Sequence, residues 1–248
     1  GERILAAVSG GPDSLALLLA LKLLAVKEKI NIGCCCVNHH LRAAAGKEAE
    51  FVESVCREWN IPFILKEVDV QSAVRNGGSI ETAARDLRYK ALREAARGGG
   101  YAKIAVAHHG DDQAETVLYH LLRGSGVTGL SGMKPINEDI IRPFLCVSKN
   151  EIKDFLKDFS YVPCHDESND VEDAVRNRIR LSLVPELISY NPRVTESLRR
   201  TADIFREEDL FMEEKADVFI SSCVEHDNDK CVFFIAYFLA LHIALQRR

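Results

Sequence analysis

The chain has 248 residues and a formal net charge of −5, and 47% of its residues are hydrophobic. This length supports one large or two modest domains with a sizeable core. No apolar run approaches the roughly 18 residues that a membrane-spanning helix needs, and the acidic balance is unusual for a protein that binds nucleic acid over its whole surface.

Short apolar strands alternate with helical patterns through the first half of the chain. The strands are predicted at Ile4–Val8, Ile32–Val37, Phe63–Glu67 and Ile104–Ala107, and the helices at Ser14–Lys29, Gly46–Trp59, Ser79–Arg97 and Asp111–Leu122. This alternation predicts an α/β fold, a Rossmann-like open parallel sheet with helices on both faces. Ligands in such folds bind beyond the carboxyl ends of the strands.

The second half of the chain changes from strands to loops and helices. Its predicted segments are a loop at Gly124–Gly132, an edge segment at Ile140–Leu145, a helix at Ser148–Phe159 with a Ser148–Glu151 capping box, a loop at Tyr161–Asp173, and helices from Pro192 to Cys223 and from Cys231 to Leu245. We therefore expect a catalytic domain over residues 1–188 and a small all-helical extension over residues 189–248.

The turn after the first strand carries the strongest sign of a bound ligand. It is made of Ser9, Gly10, Gly11, Pro12, Asp13 and Ser14. Glycines let an anion approach the backbone, and the N–H groups at a helix start face that anion. A carboxylate beside phosphate needs a cation between them, so Asp13 points to magnesium. The turn predicts a nucleotide phosphate site, although an ordinary glycine turn that caps a helix has a similar composition.

Two more polar clusters follow strands of the same sheet. His39 and His40 come after the second strand, and the stretch from His108 to Thr116 comes after the fourth. Within that stretch Asp112 and Glu115 are three residues apart and share a helix face. Carboxylates there either stabilise the helix dipole or hold magnesium beside a nucleotide. Because the carboxyl ends of parallel strands meet at one edge, we expect the three clusters to converge.

The cysteines and the basic residues have plain interpretations. Cys34, Cys35 and Cys36 lie in an apolar strand, and no C-x-x-C pair occurs among the eight cysteines, so buried reduced thiols are expected. Reduced thiols are typical of the cytoplasm. Between Arg176 and Arg200 there are six arginines and two glutamates, which fits either a phosphate-contacting surface or a solvated helix face.

Nine short motifs together resemble the catalytic domain of the tRNA(Ile)-lysidine synthetase family, within the N-type ATP pyrophosphatases. They occur in order over roughly residues 1–190, ahead of the C-terminal tRNA-binding domains that larger members carry. The motifs are Ser9–Ser14, Asn38–Arg42, Ile80–Tyr89, His108–Thr116, Arg123–Gly126, Gly129-Leu130, Arg142-Pro143, Asp166–Asn169 and Arg176–Arg180. The family usually has Gly at the position of His40.

The resemblance implies a two-step reaction. ATP, with magnesium, adenylates the wobble cytidine of the CAU-anticodon isoleucine tRNA, and free L-lysine then displaces AMP to give lysidine. The cytidine has to leave its stack to be reached. The implied nucleotide site is Ser9 to Ser14 with His39 and His108. The implied catalytic residues are Asp13, Asp112, Glu115 and Arg178, and the implied contacts to the tRNA are Arg85, Arg88, Arg176 and Arg180.

Two alternatives stay open from the sequence. The chain could be another ATP pyrophosphatase, such as a tRNA thiolase or an NAD or GMP synthetase, or a nucleotide-binding module without turnover. A thiolase is expected to carry a C-x-x-C pair, the synthetases to lack the Arg176–Arg180 segment, and an inactive module to have lost Asp13, Asp112 and Glu115. We expect a cytoplasmic protein with no membrane contact. The sequence leaves its oligomeric state open, a homodimer included.

Overall fold

A single mostly parallel sheet organises the computed structural model, which describes residues 1–40, 45–74, 80–159, 174–227 and 230–248. Its strands lie in the order β3-β2-β1-β4-β6-β5. All neighbours are parallel except β5 and β6, which form an antiparallel hairpin. The strands are β1 Arg3–Ala7, β2 Asn31–Asn38, β3 Phe63–Glu67, β4 Lys103–Ala105, β5 Ile136–Asn137 and β6 Ile140–Ile141. The predicted open sheet is confirmed, but β5 rather than β6 forms the edge.

The described part of the first 190 residues contains five helices that begin and end within two residues of a predicted helix, and four short helices that the sequence does not predict. They are α1 Pro12–Glu28, α2 Ala45–Glu58, α3 Val70–Val74, α4 Ile80–Gly99, α5 Gly110–Leu122, α6 Val127–Leu130, α7 Lys149–Lys157, α8 Ala174–Arg178 and α9 Val184–Tyr190. The predicted Ser148–Glu151 capping box opens α7. Two corrections apply: α6 lies inside the predicted loop at Gly124–Gly132, and Pro143–Cys146 is a 3₁₀ turn rather than strand.

The alternation of side chains along β1 explains why helices cover both faces of the sheet. Ile4 and Ala6 belong to the core under α1, α2 and α7, whereas Leu5 belongs to the core under α4 with Leu92. Successive strand residues point to opposite faces, so a strand that is apolar throughout needs a layer on each side. Helices therefore cover both faces of the sheet, and the edge at the carboxyl ends of the strands is where a ligand can bind.

The chain continues into a helical part that packs against the sheet domain. Helix α10, Val194–Cys223, lies along α5 and α6. It is followed by a hairpin of β7 Val224–Asp227 and β8 Lys230–Phe233, then by α11 Ile235–Leu239 and α12 Ile243–Gln246. The helical part is confirmed, but it is not all helical. The predicted helix Cys231–Leu245 is wrong at its start, because its β-branched and aromatic residues favour a strand when a partner strand is available.

Two further expectations meet the structure here. The predicted domain boundary at residues 188 and 189 falls inside α9 and stays a prediction. In the part of the chain that the structure describes, every helix is too short or too polar to cross a membrane.

The cysteines of β2 are buried thiols, as the sequence predicts. Cys34, Cys35 and Cys36 are almost inaccessible. Burial, together with the neighbouring thiols and carboxylate, raises the pKa of Cys35 and of Cys36 to about 12. Such thiols stay protonated and are poor nucleophiles, so they contribute packing rather than chemistry.

The two leucines Leu18 and Leu23 offer a test of the core under α1. Leu18 is fully buried and Leu23 is 54% exposed on the same helix. We expect Leu18→Ala to lower the free energy of unfolding by about 2–5 kcal/mol, because it leaves a cavity. Leu23→Ala, the matched control, should change it by less than about 0.5 kcal/mol. Urea unfolding measures both, and equal losses would contradict this packing.

Candidate nucleotide site

The loop between β1 and α1 is folded around its own hydroxyl groups. Gly10 has φ +92°, a conformation that favours glycine, and Pro12 occupies the first turn of α1. The Ser14 hydroxyl donates to the Gly11 carbonyl at 3.0 Å and accepts from the Ser9 N–H at 3.2 Å. The loop therefore holds its backbone curled ahead of the helix N-terminus, where an anion is stabilised.

Asp13, in the first turn of α1, has an oxygen that lacks a donor. Its Oδ1 is buried and has no hydrogen-bond partner among the described residues. Its Oδ2 lies 3.8 Å from Nε2 of His109. A carboxylate oxygen only accepts, and a buried one without a partner is costly. This oxygen fits a cation, and the curled loop beside it fits the phosphate that such a cation would bridge.

His109 ties this loop to the start of α5. Its N–H donates to Asp112 Oδ2 at 2.9 Å, and the Asp112 N–H donates to His109 Nδ1 at 3.3 Å, which makes a capping box. Because Nδ1 accepts, a neutral ring carries its hydrogen on Nε2, the atom that faces Asp13. His109 is only 4% exposed. The expected convergence of the glycine loop with the acidic cluster is thus present in the structure.

His109 and Asp111 also belong to this cluster, although neither is among the predicted site residues. Asp111 accepts a 2.7 Å hydrogen bond from the backbone N–H of Lys149, which attaches α7 to α5. The spacing of His109 to Asp112 was a usable signal, since a polar residue followed three positions later by an acid is typical of a helix start.

Asp112 and Glu115 share one arginine. Arg180 donates to Glu115 through Nε at 2.8 Å and through Nη2 at 2.9 Å, and Nη2 lies 3.5 Å from Asp112 Oδ1. Burial raises the pKa of Asp112 and the Glu115 carboxylate adds to this, although His109 and Arg180 oppose them. The guanidinium thus holds together two carboxylates that would otherwise repel each other.

Arg180 sits in an unusual stretch of helix. Residues Ile179–Leu183 form a π-helical turn between α8 and α9, and such turns are frequent at functional sites. The sequence resemblance suggested Arg180 as a tRNA contact, whereas here it faces the carboxylate pair. Its role toward RNA stays a prediction.

His108, the residue before His109, lies among arginines. Burial, reinforced by Arg88, Arg142 and Arg85, lowers the pKa of His108 to about 3, so the ring is neutral. Burial alone would raise the pKa of Tyr89, but the same arginines overcome it and lower that pKa. In the described part of the chain, His108 Nδ1, Arg88 Nε and Arg142 Nε are buried without hydrogen-bond partners. These three nitrogens are available to a polar ligand.

A third group forms along α5 beyond Glu115. The guanidinium groups of Arg123 and Arg176 lie 5.2 and 5.5 Å from the ring centre of Tyr119, and Arg123 also donates a hydrogen bond to the Tyr119 hydroxyl. Arg178 is exposed nearby on α8. An aromatic ring with two cations beside it suits contact with nucleotides, yet among the described residues Arg176 and Arg178 do not join the carboxylate cluster.

The turn after β2 accommodates the unusual His40. His40 has φ +52°, the left-handed region that favours the Gly usual in the family. Its N–H donates to Asn38 Oδ1 at 2.9 Å, and its Nε2 lies 3.4 Å from Glu67. His39 precedes it at the carboxyl end of β2. Residues 41, 42 and 166–169 of the other motifs lie outside the described residues.

Comparison with known proteins gives a consistent result. The PP-loop domain family matches residues 1–187. The tRNA(Ile)-lysidine synthase of Caldanaerobacter subterraneus subsp. tengcongensis is 38% identical, over 100% of this chain and 54% of that protein. The tRNA(Ile)-lysidine synthase of Petrotoga mobilis is 40% identical, over 84% of this chain and 68% of that protein. The chain spans about half the length of the first of these relatives.

A solved structure supports the fold. The U34-tRNA thiolase NcsA from Methanococcus maripaludis superposes with a TM-score of 0.66 over 84% of this chain and 72% of that chain. At 17% sequence identity the likeness concerns the architecture alone.

The raised pKa of Asp112 makes a prediction about stability. The folded state prefers the protonated acid, so the ionised form costs stability above the folded-state pKa. We expect Asp112→Asn, which keeps an oxygen to accept the His109 N–H, to raise the free energy of unfolding near neutral pH. The gain should shrink as the pH falls through the folded-state pKa and vanish below the unfolded-state one. Urea unfolding between pH 3 and 8 measures this, and a variant less stable throughout would contradict it.

Proposed function

Because the chain belongs to the PP-loop domain family and to the tRNA(Ile)-lysidine synthases, we propose that it joins L-lysine to the wobble cytidine of the CAU-anticodon isoleucine tRNA, using ATP. One observation carries the proposal beyond the family membership. Asp13 of the glycine loop has one oxygen, Oδ1, without a partner among the described residues, and its other oxygen, Oδ2, lies 3.8 Å from Nε2 of His109, the cap of the helix that bears Asp112 and Glu115. A phosphate site and a carboxylate pair therefore adjoin.

The first step needs a bound triphosphate and a reachable base. The Ser9–Ser14 loop and the start of α1 would hold the phosphates through backbone N–H groups and the two hydroxyls. Asp13 would hold magnesium, which neutralises charge on the phosphoryl oxygens. The cytidine carbonyl oxygen attacks the α-phosphorus, and the bond to pyrophosphate breaks. The neutral ring of His108 and the guanidinium of Arg88 would bind the nucleotide, since neither group repels its negative charge.

The second step needs a lysine amine that has lost its proton. Asp112 and Glu115 would bind the ammonium group of lysine and accept the proton. The amine attacks C2 of the adenylated cytidine, and the bond between C2 and the oxygen of AMP breaks. A carboxylate with a raised pKa is the better proton acceptor near neutral pH, which favours Asp112 for this role. Lysine has to share this pair with Arg180, which occupies it in the structure.

The tRNA contacts rest on exposed cations near the site. Arg85 and Arg178 are exposed, and Arg176 stacks on Tyr119. Arg176 and Arg178 precede Arg180 on adjoining helical turns, so RNA bound to them would lie near the carboxylate pair. We assign Arg85, Arg88, Arg176 and Arg178 to contacts with phosphate or with the flipped base. The tRNA contact predicted for Arg180 and the catalytic role predicted for Arg178 stay predictions.

The central test is release of pyrophosphate. We expect ATP, magnesium and lysine to give pyrophosphate only when the CAU-anticodon tRNA is added, with an isoleucine tRNA of another anticodon as control. Asp13→Ala should lower the rate roughly 100-fold or more, because the charge on the leaving phosphates loses its cation, while circular dichroism stays unchanged. Equal stimulation by both tRNAs, or release without RNA, would indicate another ATP pyrophosphatase. Normal turnover of Asp13→Ala would remove its metal role.

The role of Glu115 separates the two chemical steps. We expect Glu115→Ala to slow AMP release on addition of lysine at least tenfold more than it slows pyrophosphate release, because Glu115 serves the amine rather than the phosphates. Single-turnover measurements of both products give the two rates. Glu50→Ala, an exposed glutamate on α2, is the matched control. Equal losses in the two steps would contradict the assignment to lysine.

A further inference from the structure

A groove runs along α4 on the face of the sheet where Leu5 and Leu92 form the core under this helix. It has a volume of about 460 Å³ and lies between α4 and the β5–β6 hairpin. Five cationic side chains line it, and among the described lining residues Asp86 is the only acid. The cations are Arg85, Lys90, Arg93, Arg97 and Arg142. We call this feature the α4 groove.

Most of these cations have no carboxylate partner among the described residues. Arg93 is the exception, since its Nε lies 3.0 Å from Asp139 Oδ2. Within the described ranges, Arg85, Lys90, Arg97 and Arg142 have no carboxylate oxygen within 4 Å. Arg142 is also 91% buried, and its Nε has no partner there. A buried cation with an unused donor is costly unless a ligand supplies the acceptor.

The groove starts at the candidate site and leads away from it. Arg85 and Arg142 act on His108, whose neighbour His109 contacts Asp13. At the far end, Arg97 lies twelve residues further along α4, about 18 Å away at 1.5 Å per residue. A ligand that fills the groove is therefore extended, and one of its ends is beside the reacting groups.

We propose that the α4 groove binds the sugar-phosphate backbone of the RNA strand next to the nucleotide held in the site. The inference rests on the proposed function, which puts a flipped nucleotide at one end of the groove. The phosphates that flank this nucleotide have to leave the site along the protein surface, and the groove offers cations in that direction.

The charge of the whole chain favours RNA phosphates as the ligand. The protein carries a net charge of −5, and residues 201–248 hold 5 basic and 10 acidic side chains. An acidic protein attracts RNA only where its cations are concentrated and unpaired. Free pyrophosphate would need the cations clustered around one point, whereas these are spread along about 18 Å of helix.

The experiment uses two exposed cations remote from the reacting groups. Lys90→Ala/Arg97→Ala removes them from the groove, and both positions are exposed. Lys27→Ala/Lys153→Ala is the matched control, because it removes two exposed cations from α1 and α7 on the opposite face of the sheet. Binding of the CAU-anticodon tRNA is measured by fluorescence anisotropy over a range of salt concentrations, together with binding of pyrophosphate alone.

We expect the groove variant to raise the Kd for tRNA roughly tenfold and to lower the slope of log K against log salt by about 1.4, or about 0.7 for each single-strand phosphate lost. Backbone contacts carry no sequence information, so a tRNA with another anticodon should lose affinity by the same factor. The control variant and pyrophosphate binding should be unchanged.

Several outcomes would overturn the groove assignment. These are an unchanged Kd and slope in the groove variant, equal losses in the control variant, or a loss of pyrophosphate binding without a loss of RNA binding. The proposed function fails differently, when the CAU-anticodon tRNA does not stimulate pyrophosphate release by the unsubstituted protein. If the tRNA stimulates pyrophosphate release by the unsubstituted protein, but the groove variant binds tRNA as tightly as the control variant, the proposed function stands and only the groove assignment is refuted.

Discussion

The candidate site depends on how the first residues of α5 are held. His109 caps the helix and reaches Asp13 of the glycine loop, while Asp111 accepts the N–H of Lys149 on α7. Gly110 lies so close to Arg199 of α10 and to the Val147 carbonyl that a Cβ would stand 2.5 and 2.8 Å from them. Four elements thus meet at one helix start. Because a helix N-terminus and the end of a parallel strand are both fixed in direction, this meeting point sets where phosphates and carboxylates can lie.

The adjacent histidines separate two regions of opposite charge. His108 lies among Arg85, Arg88 and Arg142 and stays neutral because cations and burial lower its pKa. His109 faces carboxylates on the other side, at Asp13 and Asp112. The two histidines lie between β4 and α5, and their side chains have different surroundings, so one dipeptide separates a cationic region from an acidic one. A reaction of a negatively charged nucleotide with an amine that binds as an ammonium ion and then loses its proton needs both regions within a short distance.

The acidic cluster lowers the stability of the fold, and the proposed chemistry needs this cluster. Two carboxylates in a half-buried setting repel each other, and burial raises the pKa of Asp112 further. Arg180 relieves part of this cost by binding Glu115 with two hydrogen bonds. Because the two carboxylates favour a cation beside them, they are suited to a cationic substrate. Such a substrate would have to displace Arg180 or bind the carboxylates together with it. Stability and chemistry are in this way opposed at the same three side chains.

The sequence by itself determined the first four strands, the ends of α1, α2, α4, α5 and α7, and the glycine loop, because periodicity, capping residues and glycine positions are local properties. It also determined that Asp13, Asp112 and Glu115 belong to one edge, since strand order in an α/β fold restricts where such residues can go. Only the tertiary structure decided that Arg180 binds Glu115 and that His109 links Asp13 to α5, because these contacts join residues far apart in the chain. The hairpin β7–β8 was missed for a related reason: a segment such as Lys230–Phe233 becomes a strand when a partner strand lies beside it, and neither hydrophobic period nor propensity reports on that partner.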